Sequence, residues 1–348
     1  MSSLFSRAMC GALFLSAFAF GIAQAQAAGE VNVYTLRQPQ LITPLFDAFT
    51  KETGIKVNVI FAKDGLAERI AAEGGNSPAD LFLTADIGNL TDAVNKGITQ
   101  PVKSAVLEAN IPAQYRDPEG HWFGLTARAR VIYASRDQVK QDTITYEELA
   151  DPKWRGKICV RSGQHVYNIA LFASLIAHNG EEKTKAWLEG VRDNLAKKPA
   201  GGDRDQAKAI FAGECDVALA NTYYFGGMMT NDKEPEQKEW AKALKVMFPN
   251  TANRGTHMNV SGVVLAKHAP NKANAIKLME YLSSDEAQRI YAEGNHEYPV
   301  KPGIAVSEAV KSWGEFKRDT LPLAELAKLR KRASELVDEV KFDQGPSS

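Results

Sequence analysis

The sequence predicts an α/β fold of two lobes with a ligand cleft between them, and three observations predict it. Strand-like and helix-like stretches alternate along the chain, as they do when helices cross between strands of one sheet. The chain has 348 residues, more than a single hydrophobic core usually serves. Two well-separated strand-like stretches, 128–133 and 258–262, have the character of crossings between lobes.

Residues 1–27 read as a cleavable signal peptide. Arg7 is their only charge, an apolar run covers 12–22, and Ala25-Gln26-Ala27 offers an A-x-A cleavage site. The run is too short to span a bilayer, and no later stretch approaches the length needed. Cys10 precedes the apolar run, which argues against a lipoprotein. The expectation is an exported protein, periplasmic in a Gram-negative source and not itself membrane-spanning. Removing 27 of 348 residues leaves 321, with 41 basic against 42 acidic once Arg7 is gone. So balanced a charge gives no support for nucleic acid or an anionic membrane as partner.

The elements follow in order. Residues 31–34 form a short strand, and 41–53 an amphipathic helix ended by Gly54. A strand at 56–61 leads to a helix at 65–73, stopped by Gly74-Gly75, and then to a strand at 80–83. This spacing implies parallel pairing with right-handed crossovers. Buried strands are expected at 158–161, 217–220 and 260–265, with helices at 168–178, 184–194, 205–212 and 272–283. A charged amphipathic helix closes the chain at 323–340. If the chain leaves the first lobe near 127 and returns near 258, that lobe is discontinuous, made of 28–126 and 258–348, and 127–257 is the second. Ligands favour the cleft such an arrangement leaves.

Tyr223 and Tyr224 are adjacent in Asn221-Thr222-Tyr223-Tyr224-Phe225-Gly226. On a strand they would point to opposite faces, whereas a helical turn lets them converge. With Thr222 as N-cap, both phenols sit at a helix N-terminus, whose dipole favours anions. Two phenolates there make a hard-oxygen cation site, and the alternative is two half-buried core aromatics. After cleavage Cys159 and Cys215 are the remaining cysteines. In an oxidising compartment a lone pair is more often bridged than free, the alternative being two buried thiols.

The order of these features resembles the ferric-iron-binding proteins of ABC importers, the ferric-binding and FutA-like group. Its carriers include Val33-Tyr34-Thr35-Leu36-Arg37, Leu125-Thr126-Ala127-Arg128-Ala129-Arg130, Val166-Tyr167-Asn168, Gly201-Gly202-Asp203-Arg204-Asp205, the tyrosine pair and Glu297-Tyr298-Pro299-Val300. The likeness runs over about residues 31–340. It implies a two-lobed class II periplasmic-binding-protein fold with hinge strands between the lobes. It also implies Tyr167, Tyr223 and Tyr224 as ligands of Fe³⁺, a small, hard cation suited to oxygen donors. Some relatives carry a further ligand tyrosine after the first strand, where this chain has Arg37-Gln38-Pro39. A three-tyrosine site leaves positions for a synergistic anion such as carbonate, expected against Arg37 and Gln38, with Arg128 and Arg130 as further candidates. The partner implied is an inner-membrane ABC permease, and a monomer is expected.

Asp64, Asp80, Asp86 and Asp203 are not counted as ligands; Asp80 reads as a strand-end or turn residue and Asp203 as a loop residue or helix cap. None of the six histidines stands in a metal-binding spacing. His165, two residues before Tyr167, has no evident nucleophile to serve, and no catalytic motif is present, so an enzyme is not expected. The competing reading is a receptor of the same fold for an organic cation or phosphate ester, such as thiamine or a phosphonate, built on aromatic stacking.

Overall fold

The computed structural model describes residues 29–346. The predicted signal peptide lies outside them. Among the described residues there are ten strands: β1 (Glu30–Thr35), β2 (Lys56–Phe61), β3 (Leu81–Ala85), β4 (Thr99–Gln100), β5 (Phe123–Ser135), β6 (Ile158–Cys159), β7 (Val217–Asn221), β8 (Leu244–Met247), β9 (Met258–Ala266) and β10 (Tyr298–Pro299). They pair in the order β2-β1-β3-β9-β5-β7-β6, with β10 and β8 on β5 and β4 on β9. β1 is parallel to both β2 and β3, as the strand–helix–strand spacing predicts.

The fold is a two-lobed class II periplasmic-binding-protein fold, and β5 holds it together. All thirteen of its residues are buried. Its first half, up to Ala129, pairs antiparallel with β9, and from Arg130 onward it pairs with β7 and β8. One strand therefore belongs to the sheets of both lobes and passes between them at Ala129–Arg130. β9 runs beside it and joins β3 on its other edge. Their approach is close at Gly262, where a Cβ would stand 2.6 Å from the Phe123 carbonyl, so no larger residue fits without a shift.

Sequence-predicted bounds hold within a few residues in the first lobe. The helix Thr43–Thr53 ends at Gly54, whose φ of 71° is the left-handed conformation glycine adopts freely. Three differences matter to the site. The helix Val166–Asn179 starts two residues earlier than predicted, and the helix Asp203–Phe211 also starts two residues earlier. Tyr167 and Asp203 thus lie in first helical turns instead of loops. The third concerns the tail, which the sequence assigns to the first lobe. The helix Leu323–Glu339 instead lies along Val166–Asn179, and Phe342 beyond it meets Phe172 edge-on at 5.8 Å. Its Leu336 and Val337 are buried. Apolar area on that helix face is covered by the second lobe, and Arg330 reaches back to Asp86 in the first at 2.8 Å.

Cys159 and Cys215 form a disulfide, with Cα atoms 5.9 Å apart and a sequence separation of 56. It ties β6 to the turn before β7, the strands that lead to Tyr167 and to Tyr223. Closing a loop of that length stabilises by about 4 kcal/mol in the chain-entropy model. The Cys159→Ser/Cys215→Ser double variant is expected to unfold at correspondingly lower urea. Two reactive thiols in the denatured, unreduced parent protein would contradict the bridge.

Candidate metal centre

β7 is an apolar run, Val-Ala-Leu-Ala, buried throughout, and it ends at Asn221. The chain turns directly into the helix Thr222–Met229, with Asn221 extended in the capping position. The expected N-cap is displaced by one residue: Thr222 is the first helical residue, and its hydroxyl accepts from the Ala129 N–H at 3.3 Å, fastening the helix to β5. Tyr223 and Tyr224 are the second and third residues of this helix, their rings 4.2 Å apart and tilted by 32°. Tyr167 is the second residue of the helix Val166–Asn179. That helix is capped by His165, whose Nδ1 accepts from the Tyr167 N–H at 3.3 Å. The two first turns face each other, and the hydroxyls of Tyr167 and Tyr223 stand 3.1 Å apart. Three phenols therefore meet where two helices direct their positive ends.

The phenols form one wall of a cleft of about 520 Å³. Leu36, Arg37, Gln38 and Asn295 of the first lobe line the same cleft. Burial raises the Tyr223 phenol well above its ordinary pKa, and the neighbouring Tyr167 and Tyr224 oppose its ionisation further. Burial and Tyr167 likewise raise Tyr224. Without a cation these two phenols are protonated at neutral pH. His165 is held neutral, its pKa lowered to about 3 by burial and by Arg161 and Arg130. It serves as the helix cap.

Around the phenols lie five arginines and two buried carboxylates. Glu297 takes Arg37 Nη2 at 2.7 Å and Arg128 Nη2 at 2.7 Å. Arg37 Nη1 also donates to Ser261 at 2.8 Å, and Arg128 donates to the same hydroxyl. Asp203 takes Arg130 at 2.8 Å and Arg161 at 3.0 Å. Arg128 lies over the Tyr223 ring at 5.7 Å, Arg161 over Tyr167 at 5.3 Å and Arg204 over Tyr224 at 4.9 Å. Burial works against both carboxylates as anions, yet the paired guanidiniums hold Glu297 and Asp203 below the usual carboxylate range.

Of the expected site residues, the structure brings Tyr167, Tyr223 and Tyr224 together and sets Arg37 and Gln38 in the lining of the same cleft. Arg128 does not reach the cleft surface. Its guanidinium is committed to Glu297 and Ser261 beneath Tyr223, and the residue is 1% exposed. Arg130 is turned to Asp203 and Asn168 in the same way. Asp64 is exposed. Asp80 braces the first lobe by accepting from the N–H groups of Asn32 and Asn271. Asp86 caps the helix Ile87–Asn95. Among the described residues, no group of three or more His, Cys, Asp or Glu could hold a metal ion. Sequence reasoning gave no role to Glu297, Arg161, Arg204 or Asn168. The Gly201–Asp205 and Glu297–Val300 stretches held a signal, but polar partners this distant in sequence carry no local spacing.

The family model for bacterial extracellular solute-binding proteins matches residues 35–289. The chain is 47% identical to iron uptake protein A1 of Synechocystis over 312 residues, 89% of this chain and 86% of that protein. Among solved structures, apo ferric ion-binding protein A of Pasteurella haemolytica is 56% identical with a TM-score of 0.86, over 90% of this chain and 98% of that one. The FutA protein of Trichodesmium, solved with iron and citrate, is 45% identical with a TM-score of 0.86, over 90% of this chain and all of its own.

Proposed function

The chain belongs to the bacterial extracellular solute-binding proteins, in their ferric-binding, FutA-like branch, and on that footing we propose that its cleft captures Fe³⁺ through Tyr167, Tyr223 and Tyr224. It is a binding protein of iron transport, not an enzyme. The observation that carries the reading is the meeting of three phenols at two helix N-termini, with two hydroxyls 3.1 Å apart.

Each phenol gives up its proton to become a ligand. Three phenolates balance the charge of a ferric ion, and hard oxygen donors suit it. The helix ends and the surrounding guanidiniums favour the phenolate form. A synergistic anion such as carbonate completes the coordination, held by Arg37 and Gln38 in the same cleft. The lobes close about β5 and β9, with 28–126 and 258–322 moving against 127–257 and the tail helix. An inner-membrane permease reads the closed shape. Residues 1–27 direct export to the periplasm, where the chain acts as a monomer.

Protons link to iron with a definite sign. Tyr223 and Tyr224 are raised in the metal-free state, so binding releases at least two protons and affinity weakens as pH falls. A release of two protons corresponds to about a 100-fold loss of affinity per pH unit. Chelator competition at several pH values, with iron analysis and a visible spectrum of protein from its native compartment, tests the reading. One iron per chain, a visible band and a slope of two or more are expected. A colourless protein carrying an organic ligand, or an affinity independent of pH, contradicts it and favours the organic-cation or phosphate-ester receptor.

A further inference from the structure

Asp203 is 1% exposed and opens the helix Asp203–Phe211. Both of its oxygens accept hydrogen bonds. Oδ2 accepts from the Asn221 N–H at 2.7 Å and from Arg130 Nη1 at 2.8 Å, and Oδ1 accepts from Arg161 Nη1 at 3.0 Å. Asn221 is the residue from which the Tyr223–Tyr224 helix starts. Arg130 carries the connection to the other helix: its Nη2 donates to Asn168 Oδ1 at 2.7 Å, directly after Tyr167. Asn168 in turn donates to the carbonyls of Arg161 and Ser162 at 3.1 and 3.0 Å. One carboxylate thus reaches the first turn of both phenol-bearing helices, by one hydrogen bond on one side and through a guanidinium and an amide on the other.

We propose that Asp203 is the positioning residue of the ferric centre, setting the spacing between the Tyr167 phenol and the Tyr223–Tyr224 pair. The inference rests on the tyrosine reading of the site. A buried carboxylate between two arginines is a poor choice for stability alone, since well-packed apolar residues often serve as well. What it supplies here is geometry. Rigid carboxylate and guanidinium groups fix distances, and ligands held by such partners lose about 10- to 100-fold in metal affinity when the partner is removed. Asparagine at 203 keeps one acceptor oxygen but turns an NH₂ group towards Arg130, Arg161 or the Asn221 N–H, where no donor can be received.

The test compares Asp203→Asn, Asn168→Ala and Asp80→Asn, each titrated with Fe³⁺ against a competing chelator and read by visible absorbance. Asp80 is a buried carboxylate of the first lobe, bonded to Asn32 and Asn271 and outside the lining of the cleft, so D80N controls for general loosening of the fold. Expected are a 10- to 100-fold loss of affinity and a displaced visible band in D203N, a smaller loss with the same displacement in N168A, and parental values in D80N. Parental affinity and band in D203N overturn the proposal. So does a D80N variant that loses as much as D203N. If D203N does not fold, N168A decides, and a parental N168A overturns the proposal. Failure of the tyrosine reading shows differently: the parent itself then lacks the visible band, whatever residue 203 is.

Discussion

Tyr223→Phe is expected to abolish tight ferric binding while leaving the protein folded. Tyr223 is central among the three phenols, 3.1 Å from the Tyr167 hydroxyl and in ring contact with Tyr224. The substitution keeps the ring and its packing but deletes one oxygen donor and one compensating negative charge. Loss of a direct ligand exceeds the about 10- to 100-fold cost of losing a residue behind one. The fold loses only one hydroxyl contact, worth about 1 kcal/mol. Tyr167→Phe and Tyr224→Phe follow the same logic, each weakening binding and altering the visible band. Chelator competition paired with thermal melts separates the two effects. If all three variants hold iron as tightly as the parent, the phenols are ordinary aromatics of the cleft wall.

Glu297→Gln is expected to cause the largest loss of stability, about 3–5 kcal/mol. Glu297 is fully buried and is the shared counter-ion of Arg37 and Arg128, themselves only 3% and 1% exposed. Neutralising it leaves two buried guanidiniums facing one amide in place of their shared counter-ion. The same residue brings a pH dependence. Its folded pKa lies below the unfolded value of 4.5, so its stabilisation is complete above that value and is lost as pH falls through the folded pKa. Urea unfolding at neutral pH measures the variant, and a loss under about 1 kcal/mol contradicts this account of the pair. The structure also changes what is expected of Arg37. With Nη1 on Ser261 and both Nη groups on Glu297, its first task is to hold β1 to β9 and to the strand-end at Glu297.

Much of the fold is legible in local patterns because local physics produces it. The strand at 56–61 reads from its apolar residues alone, and the helix ended by Gly54 from its stop signal. The first turn at Tyr167 is harder, since its cap is His165, outside the usual Ser, Thr, Asp and Asn set. Strands of two residues, such as β4 and β10, have no periodicity to detect. The amphipathic tail announces that one face is covered but not by which lobe. The charged shell was the least legible part. Asp203 meets Arg130 across 73 residues and Arg161 across 42, and Glu297 meets Arg37 across 260. An aspartate after two glycines reads locally as a cap, and only the folded chain shows its carboxylate between two guanidiniums. The tyrosine trio was legible through family resemblance, because two phenols 56 residues apart in sequence have no spacing rule that joins them.

The claim that these phenols are the iron ligands is tested most directly by resonance Raman spectroscopy of the ferric-loaded protein, with excitation in its visible band. Phenolate ring vibrations are predicted to be enhanced, to weaken in each single Tyr→Phe variant and to vanish when Tyr167, Tyr223 and Tyr224 are all replaced. A protein that carries one ferric ion per chain and shows no enhanced phenolate vibration contradicts the account.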